Sequence, residues 1–253
     1  MPLTVHQFPC LADNYGFLAL DEASGLAACI DTPESGAILR ELKALGWRLE
    51  LILNTHWHPD HAGGNADVQA ATGAKIVGPA EVTRISPVDR EVRGGDFVML
   101  GETRFEVIET GGHTLGHIAY HDADDAIAFV GDTLFALGCG RLFEGKPDQM
   151  WSSLQRLAAL PDETTVYCAH EYTASNARFA LSVDDSPALK ARAEAVFAAR
   201  ERGQPTVPTT IALEKATNPF LRAPALAGRV GAAGRADHEA FAAVRAAKDL
   251  FKG

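Results

Sequence analysis

The heptapeptide Thr-His-Trp-His-Pro-Asp-His at residues 55–61 places three imidazoles and a carboxylate within six residues. It directly follows the run Leu49–Leu53, which is short and mostly apolar, as in strands that are covered on both faces. In extended chain, His56 and His58 point to the same side, because side chains two residues apart share a face. The sequence therefore predicts a cluster of polar side chains at the end of a buried strand.

Four side chains of this heptapeptide are potential metal ligands: His56, His58, Asp60 and His61. Imidazole nitrogen and carboxylate oxygen are the usual ligands of zinc, and they also suit iron and manganese. A hydrated, His-rich loop is the alternative, but it would gain nothing structurally from crowded imidazoles. Four ligands so close together predict two metal ions.

Three later side chains, each following a predicted strand, are further potential ligands: His113, Asp132 and His170. The strands before them are predicted at Arg104–Glu109, Ala126–Val130 and Thr165–Cys168. Taken singly, each would be read as an ordinary polar loop residue. Because the active sites of layered folds gather at strand ends, we expect them to belong to the same site as the heptapeptide.

The chain divides by its pattern into a strand-rich part and a helical part. Strands interspersed with helices are predicted up to about residue 171, and no strand is predicted beyond 172. Ala188–Arg202 and His238–Phe251 are rich in alanine with charged faces, which indicates helices. Pro224–Gly234 is predicted to be a surface loop. We expect a catalytic domain at 1–171 and a small helical, substrate-binding domain at 172–253.

Composition bounds the possible functions. The 253 residues are 47% hydrophobic, which is typical of a soluble globular protein with a large core. The net charge of −10 argues against nucleic acid as a partner. No apolar stretch reaches the roughly 18 residues of a membrane span. The start of the chain lacks the features of a secretory signal, so the cytoplasm is the expected location, and a monomer is the default.

The order of motifs resembles a known family. T-H-W-H-P-D-H is followed by G-G-H-T-L-G-H, F-V-G-D-T-L-F and C-A-H-E-Y-T, as in the metallo-β-lactamase superfamily. More narrowly, the chain resembles the hydroxyacylglutathione hydrolases, or glyoxalase II enzymes, from Asn14-Tyr15 through G-C-G-R-L-F-E-G at 138–145 to K-D-L-F-K at 248–252. The resemblance implies an α/β fold, an αββα metallo-β-lactamase sandwich with a small C-terminal α-helical domain.

The resemblance also implies a ligand assignment. One metal would be held by His56, His58 and His113, the other by Asp60, His61 and His170, and Asp132 would bridge the two. Zinc is the expected metal, with iron or manganese as alternatives. A hydroxide between the ions would attack the thioester of S-D-lactoylglutathione, giving glutathione and D-lactate in methylglyoxal detoxification. Asp60 and Asp132 are the expected catalytic carboxylates, and Asp60 would guide the proton.

The resemblance assigns substrate contacts to five residues: Arg141, Phe143, Tyr172, Arg245 and Lys248. Glutathione carries two carboxylates, so an otherwise acidic protein needs local cations to bind it. Phe143 stands where other members carry tyrosine, which removes one hydroxyl hydrogen bond worth about 0.5–1.5 kcal/mol.

Other functions remain open at this point. A single-iron dioxygenase acting on glutathione persulfide shares much of the ligand run, as do other thioesterases of the same fold. A lactamase is disfavoured by the missing export signal, and a nuclease by the acidic surface. A metal-binding protein without catalysis would take up metal and turn over no thioester. The four cysteines are widely spaced, so we expect buried thiols and no disulfide scaffold.

Overall fold

The computed structural model describes residues 2–252, which form two compact units. The first unit runs to Glu109 and includes Gly116–Gly131, and the second comprises Thr110–Leu115 and the chain from Asp132 onward. The predicted domain boundary between residues 171 and 172 stays a prediction.

The first unit contains a sheet in which strands that follow one another in sequence are neighbours. Its strands are β1 (Leu3–Cys10), β2 (Asn14–Asp21), β3 (Leu26–Ile30), β4 (Arg48–Leu53), β5 (Lys75–Gly78) and β6 (Arg90–Glu91). β1 to β3 pair antiparallel, and β3 to β6 pair parallel. Parallel neighbours require crossover connections. These contain α1 (Ser35–Leu45), α2 (Pro59–Ala62), α3 (Asn65–Thr72) and a 3₁₀ turn at Ala80–Arg84.

A second group of strands in this unit forms an antiparallel meander. It consists of β7 (Phe97–Leu100), β8 (Thr103–Glu109), β9 (Ile118–Asp122) and β10 (Ile127–Gly131). The predicted strands Arg104–Glu109 and Ala126–Val130 coincide with β8 and β10 to within one residue at each end.

The core of the first unit has two layers, set by the alternation of side chains along β2. Leu18 belongs to a cluster with Ile38 of α1 and Val68 of α3, on one face of the first sheet. Its neighbour Phe17 points the other way, and its ring centroid lies 5.8 Å from that of Phe129 on β10. A period of two residues therefore directs one side chain to the helices and the next to the meander.

The second unit is mainly helical. Its strands are β11 (Leu134–Phe135), β12 (Gly138–Cys139), β13 (Thr165–Cys168) and β14 (Thr209–Thr210). Its helices are α4 (Pro147–Ala158), α5 (Thr173–Val183), α6 (Pro187–Glu201), α7 (Ile211–Thr217), α8 (Ala223–Leu226) and α9 (Asp237–Leu250). Predicted helices at Ala188–Arg202 and His238–Phe251 correspond to α6 and α9.

Two expectations for the second unit are wrong. Pro224–Gly234 is not a plain surface loop, because α8 and a 3₁₀ turn at Ala227–Val230 occupy most of it. Strand structure also does not end at residue 172, since β14 pairs with Thr165 and Val166. Elements this short are formed by tertiary contacts and carry little periodic signal of their own.

All four cysteines are free and buried, as the sequence predicts. Among residues 2–252, none of the helices combines the length and the apolar character needed to cross a bilayer.

Candidate active site

The loop after β4 positions His56 and His58. Its backbone is held by the meander, because Ile118 N donates to Thr55 O (3.0 Å) and Tyr120 Oη donates to Asn54 O (3.0 Å). His56 Nδ1 lies 3.0 Å from the Thr55 hydroxyl, and His56 Nε2 lies 3.0 Å from His58 Nδ1. One nitrogen of each ring is thus aimed at a common point, and His56 is fully buried.

Asp60 and His61 form a second pair in the same unit. Both lie on the single turn α2, which begins at Pro59, where a missing backbone N–H costs nothing. His61 Nε2 lies 3.6 Å from Asp60 Oδ2. Asn14 Nδ2 donates to the same Asp60 oxygen at 3.1 Å, which fixes the carboxylate. The heptapeptide therefore presents its four predicted ligands as two pairs.

Asp31 orients this cluster and was not identified from the sequence. It follows β3 and is 5% exposed. Its Oδ2 lies 2.8 Å from His61 Nδ1 and accepts the Thr55 hydroxyl at 2.8 Å, while Oδ1 accepts Thr55 N at 2.7 Å. With Nδ1–H directed at Asp31, His61 keeps Nε2 as its ligand atom. The sequence does contain a signal for this role, because Asp31 directly follows a strand, as Asp132 does.

The second unit brings together His113, Asp132 and His170. His113 Nε2 lies 3.4 Å from Asp132 Oδ2, and His170 Nε2 lies 3.4 Å from Asp132 Oδ1. The two oxygens of one carboxylate therefore face two different imidazoles. His113 Nδ1 is 2.8 Å from Arg141 O, which leaves Nε2 of that ring as the ligand atom.

The backbone beside Asp132 approaches so closely that only glycine fits at position 140. A Cβ there would collide with the Asp132 carbonyl and would lie 3.0 Å from His113 Nδ1. The glycine of the G-C-G motif is therefore required by packing against two of the predicted ligands.

The spacing of these nitrogen and oxygen atoms fits the binding of metal ions. Two ligands that share a tetrahedral ion, each about 2.0–2.1 Å from it, lie roughly 3–3.5 Å apart. The pairs inside each unit are separated by 3.0 to 3.6 Å. Nitrogen and oxygen donors of this kind suit divalent zinc, iron or manganese.

A cavity of about 480 Å³ lies in the second unit beside Asp132 and His113. All five predicted substrate contacts line it: Arg141, Phe143, Tyr172, Arg245 and Lys248. The structure therefore brings these five residues to the same place, next to two of the predicted metal ligands.

Two aromatic rings that line this cavity, those of Tyr172 and Phe143, pack against imidazoles of the predicted ligands. Tyr172 stacks on His170 with an interplanar angle of 3° and a centroid distance of 4.7 Å. Phe143 packs edge-on to His113 at 5.2 Å, with 63% of its surface exposed. These rings hold the imidazoles in place and present an apolar wall to a bound molecule.

Hydrogen bonds hold Lys248 at the cavity, close to two other cations. Lys248 Nζ donates to Ser175 O at 3.2 Å and to the Ser175 hydroxyl at 3.3 Å. Burial, together with the nearby positive charges of Arg245 and Arg141, lowers the pKa of Lys248 to about 8. An anion in the cavity would be attracted by all three side chains and would stabilise the charged form of Lys248.

The thiols near the site are not activated. Burial raises the pKa of Cys139, which lines the cavity, to about 11, and that of Cys168 to about 12. A thiol with such a pKa is protonated at neutral pH and is a poor nucleophile.

Comparison with known proteins identifies the family. Residues 21–170 match the model of the metallo-beta-lactamase superfamily, and residues 171–251 match that of the hydroxyacylglutathione hydrolase C-terminus. The hydroxyacylglutathione hydrolase of Erythrobacter litoralis is 58% identical and covers 98% of this chain and 100% of its own length. The chain belongs to the hydroxyacylglutathione hydrolase family. The predicted metallo-β-lactamase fold, the C-terminal domain and the metal-dependent hydrolase class are thereby confirmed.

Solved structures place this family member among related folds. The chain is similar to ETHE1 from Myxococcus xanthus, with a TM-score of 0.69 and 29% identity, covering 100% of this chain and 92% of that one. It is also similar to TTHA1623 in a di-iron-bound form, with a TM-score of 0.62 and 26% identity over 86% of this chain and 100% of that one. The donor set and these relatives indicate divalent metal ions without distinguishing zinc from iron.

Proposed function

We propose that this chain hydrolyses the thioester of S-(2-hydroxyacyl)glutathiones, with S-D-lactoylglutathione as the reference substrate, to glutathione and a 2-hydroxy acid. One observation carries the proposal. The Asp132 carboxylate offers one oxygen beside His113 and the other beside His170, at the edge of a cavity lined by three cations. A bridging ligand next to an anion-binding cavity is what a two-metal hydrolase of an anionic thioester needs.

Two divalent ions are part of this proposal. His56 and His58 would share one ion with His113, and Asp60 and His61 would share the other with His170. The spacing within each pair supports two ligands sharing one ion, and the division between the two ions is the one that the family resemblance implies. Bound there, such ions supply a nucleophilic hydroxide at neutral pH and polarise the thioester carbonyl. We propose zinc as the resident metal, since His/Asp ligation is typical of it.

The residues of the chain supply orientation and proton handling. The hydrogen bond from the Asn14 amide fixes the direction of the Asp60 carboxylate. The carboxylate can then accept the proton of the attacking water and pass it on. Asp31 keeps His61 in one tautomer. The departing group is a thiolate, whose conjugate acid has a pKa near 8.5, so it leaves without a protein acid.

The cavity selects for an anion. Glutathione has two carboxylates and one ammonium group at neutral pH. Arg141, Arg245 and Lys248 outnumber the two carboxylates that line the same cavity, those of Asp132 and Asp249, although the whole chain carries a net charge of −10. Binding therefore depends on this local set of charges, because the field of the whole protein repels the substrate.

A glutathione-persulfide dioxygenase is the second candidate function, favoured by the similarity to ETHE1. Such an enzyme needs one iron and consumes oxygen. The match of residues 171–251 to the hydrolase C-terminus favours thioester hydrolysis instead.

The cytoplasm is the location we propose. All four cysteines are free thiols, which suits a reducing compartment where glutathione thioesters form. A monomer stays a prediction.

Hydrolysis can be followed as the loss of thioester absorbance of S-D-lactoylglutathione. The zinc-loaded protein should show a kcat/KM of about 10⁴ M⁻¹s⁻¹ or more. A chelator should lower the rate at least about 100-fold, because the nucleophile depends on the ions. Zinc added back should restore it. Turnover that persists fully after verified metal removal would contradict the proposal.

A further inference from the structure

Arg245 is held by contacts that the established family assignment does not explain. It lies on α9, is 7% exposed, and its guanidinium carbon lies 5.0 Å from the centre of the Phe220 ring. Nε and Nη2 donate to Oδ1 of Asp249 at 3.2 and 2.8 Å. Nη1 donates to the Cys139 carbonyl at 3.1 Å. The guanidinium is therefore fixed on one side by a carboxylate and on another by backbone.

A count of donors shows what remains for a ligand. A guanidinium has five N–H groups in a rigid plane. Asp249 and the Cys139 carbonyl take three of them, and Nη1 also lies 3.9 Å from Cys139 Sγ, which is a weak acceptor. One N–H of Nη2 therefore remains, together with one N–H of Nη1 that has only this weak partner. A carboxylate accepts two N–H groups in a bidentate pair with arginine. Since Arg245 lines the cavity, a carboxylate bound there can reach this pair and replace the weak contact with sulfur.

The charge of Asp249 works against an anionic substrate. Asp249 lines the same cavity as Arg141, Arg245 and Lys248, and its side chain is 48% exposed. Through its negative charge, this carboxylate weakens the electrostatic attraction of the cavity for anions. Its two hydrogen bonds to Arg245 point instead to a role in orientation.

We propose that Asp249 is a positioning residue for Arg245, holding the guanidinium so that the N–H groups not taken by Asp249 or the Cys139 carbonyl meet a carboxylate of the substrate. This inference rests on the proposed function. Orientation matters here because the planar fork of arginine binds a carboxylate bidentately in only a narrow range of directions.

Two variants separate orientation from charge, because both remove one negative charge and only one keeps an acceptor. In Asp249→Asn the amide oxygen still accepts from Arg245, whereas in Asp249→Ala no acceptor remains. At pH 6.5, where Lys248 is charged in every variant, Asp249→Ala should raise KM for S-D-lactoylglutathione about fivefold to tenfold. Its kcat should change less than about twofold. Asp249→Asn should have a KM at or below that of the wild type.

A matched control and a second measurement complete the test. Asp185→Ala removes a comparable ion pair, with Arg229 at 2.7 Å, outside the residues that line the cavity, and should leave KM unchanged. Binding of S-methylglutathione, a thioether that is not hydrolysed, should weaken in Asp249→Ala by the same factor as KM rises. Equal or lower KM in both Asp249 variants would overturn the inference. If the wild type failed to hydrolyse the thioester yet Asp249→Ala still weakened S-methylglutathione binding, the proposed function would fail and the inference would stand.

Discussion

Asp132→Asn should lower kcat/KM for S-D-lactoylglutathione by about 10³-fold or more, a loss of about 4 kcal/mol in transition-state stabilisation. The side chain keeps its volume, but an amide offers one oxygen and an NH₂ group that cannot ligate a cation. The two imidazoles that now face separate oxygens of Asp132 at 3.4 Å would then face one oxygen and one donor. We expect the bound metal to fall from two ions per chain to one or fewer.

The comparison needs a control for the loss of one negative charge. Asp124 is exposed and is not one of the predicted site residues, so Asp124→Asn should keep both ions and wild-type kcat/KM. Circular dichroism and thermal unfolding would show that Asp132→Asn is folded. Near-normal turnover with two metals in Asp132→Asn would rule out a bridging role for this carboxylate.

Asp31→Asn should weaken metal binding about 10- to 100-fold, the usual effect of removing the partner that orients a ligand. Three donors converge on the two Asp31 oxygens: the Thr55 backbone N–H, the Thr55 hydroxyl and His61 Nδ1. An asparagine NH₂ group cannot accept from any of them, so at least one buried donor loses its partner. We also expect the free energy of unfolding to fall by about 1–3 kcal/mol.

The choice of asparagine keeps backbone strain out of this test. Asp31 has a φ of 57°, a left-handed conformation that asparagine tolerates and β-branched residues do not. Metal titration followed by the thioester assay separates the effects: excess zinc should restore most of the turnover of Asp31→Asn. Wild-type metal affinity in this variant would contradict the role assigned to Asp31.

The elements with clear periodicity were predicted well. The helices predicted at Ala188–Arg202 and His238–Phe251 correspond to α6 and α9, and the strand Thr165–Cys168 has the predicted bounds. The five predicted substrate contacts line one cavity, and their role in binding substrate stays a prediction. These five residues were grouped by the family motifs, because no pattern in the local sequence relates Arg141 to Lys248.

What the sequence did not reveal depends on tertiary contacts. The helix Thr173–Val183 buries Ala177 and Ala180, small residues that give a weak amphipathic signal. Asp31 reads as an ordinary turn residue until its carboxylate is seen beside His61. The link between Arg245 and Cys139 spans 106 positions and has no counterpart in local sequence.

We propose that seven side chains of this chain hold a pair of metal ions. Elemental analysis of the purified protein, with protein concentration from quantitative amino-acid analysis, measures how many ions are bound. We expect about two divalent metal ions per chain, with hydrolytic activity rising in proportion to occupancy. A content that saturates at one iron per chain, with oxygen consumed on glutathione persulfide and no thioester hydrolysis, would contradict it.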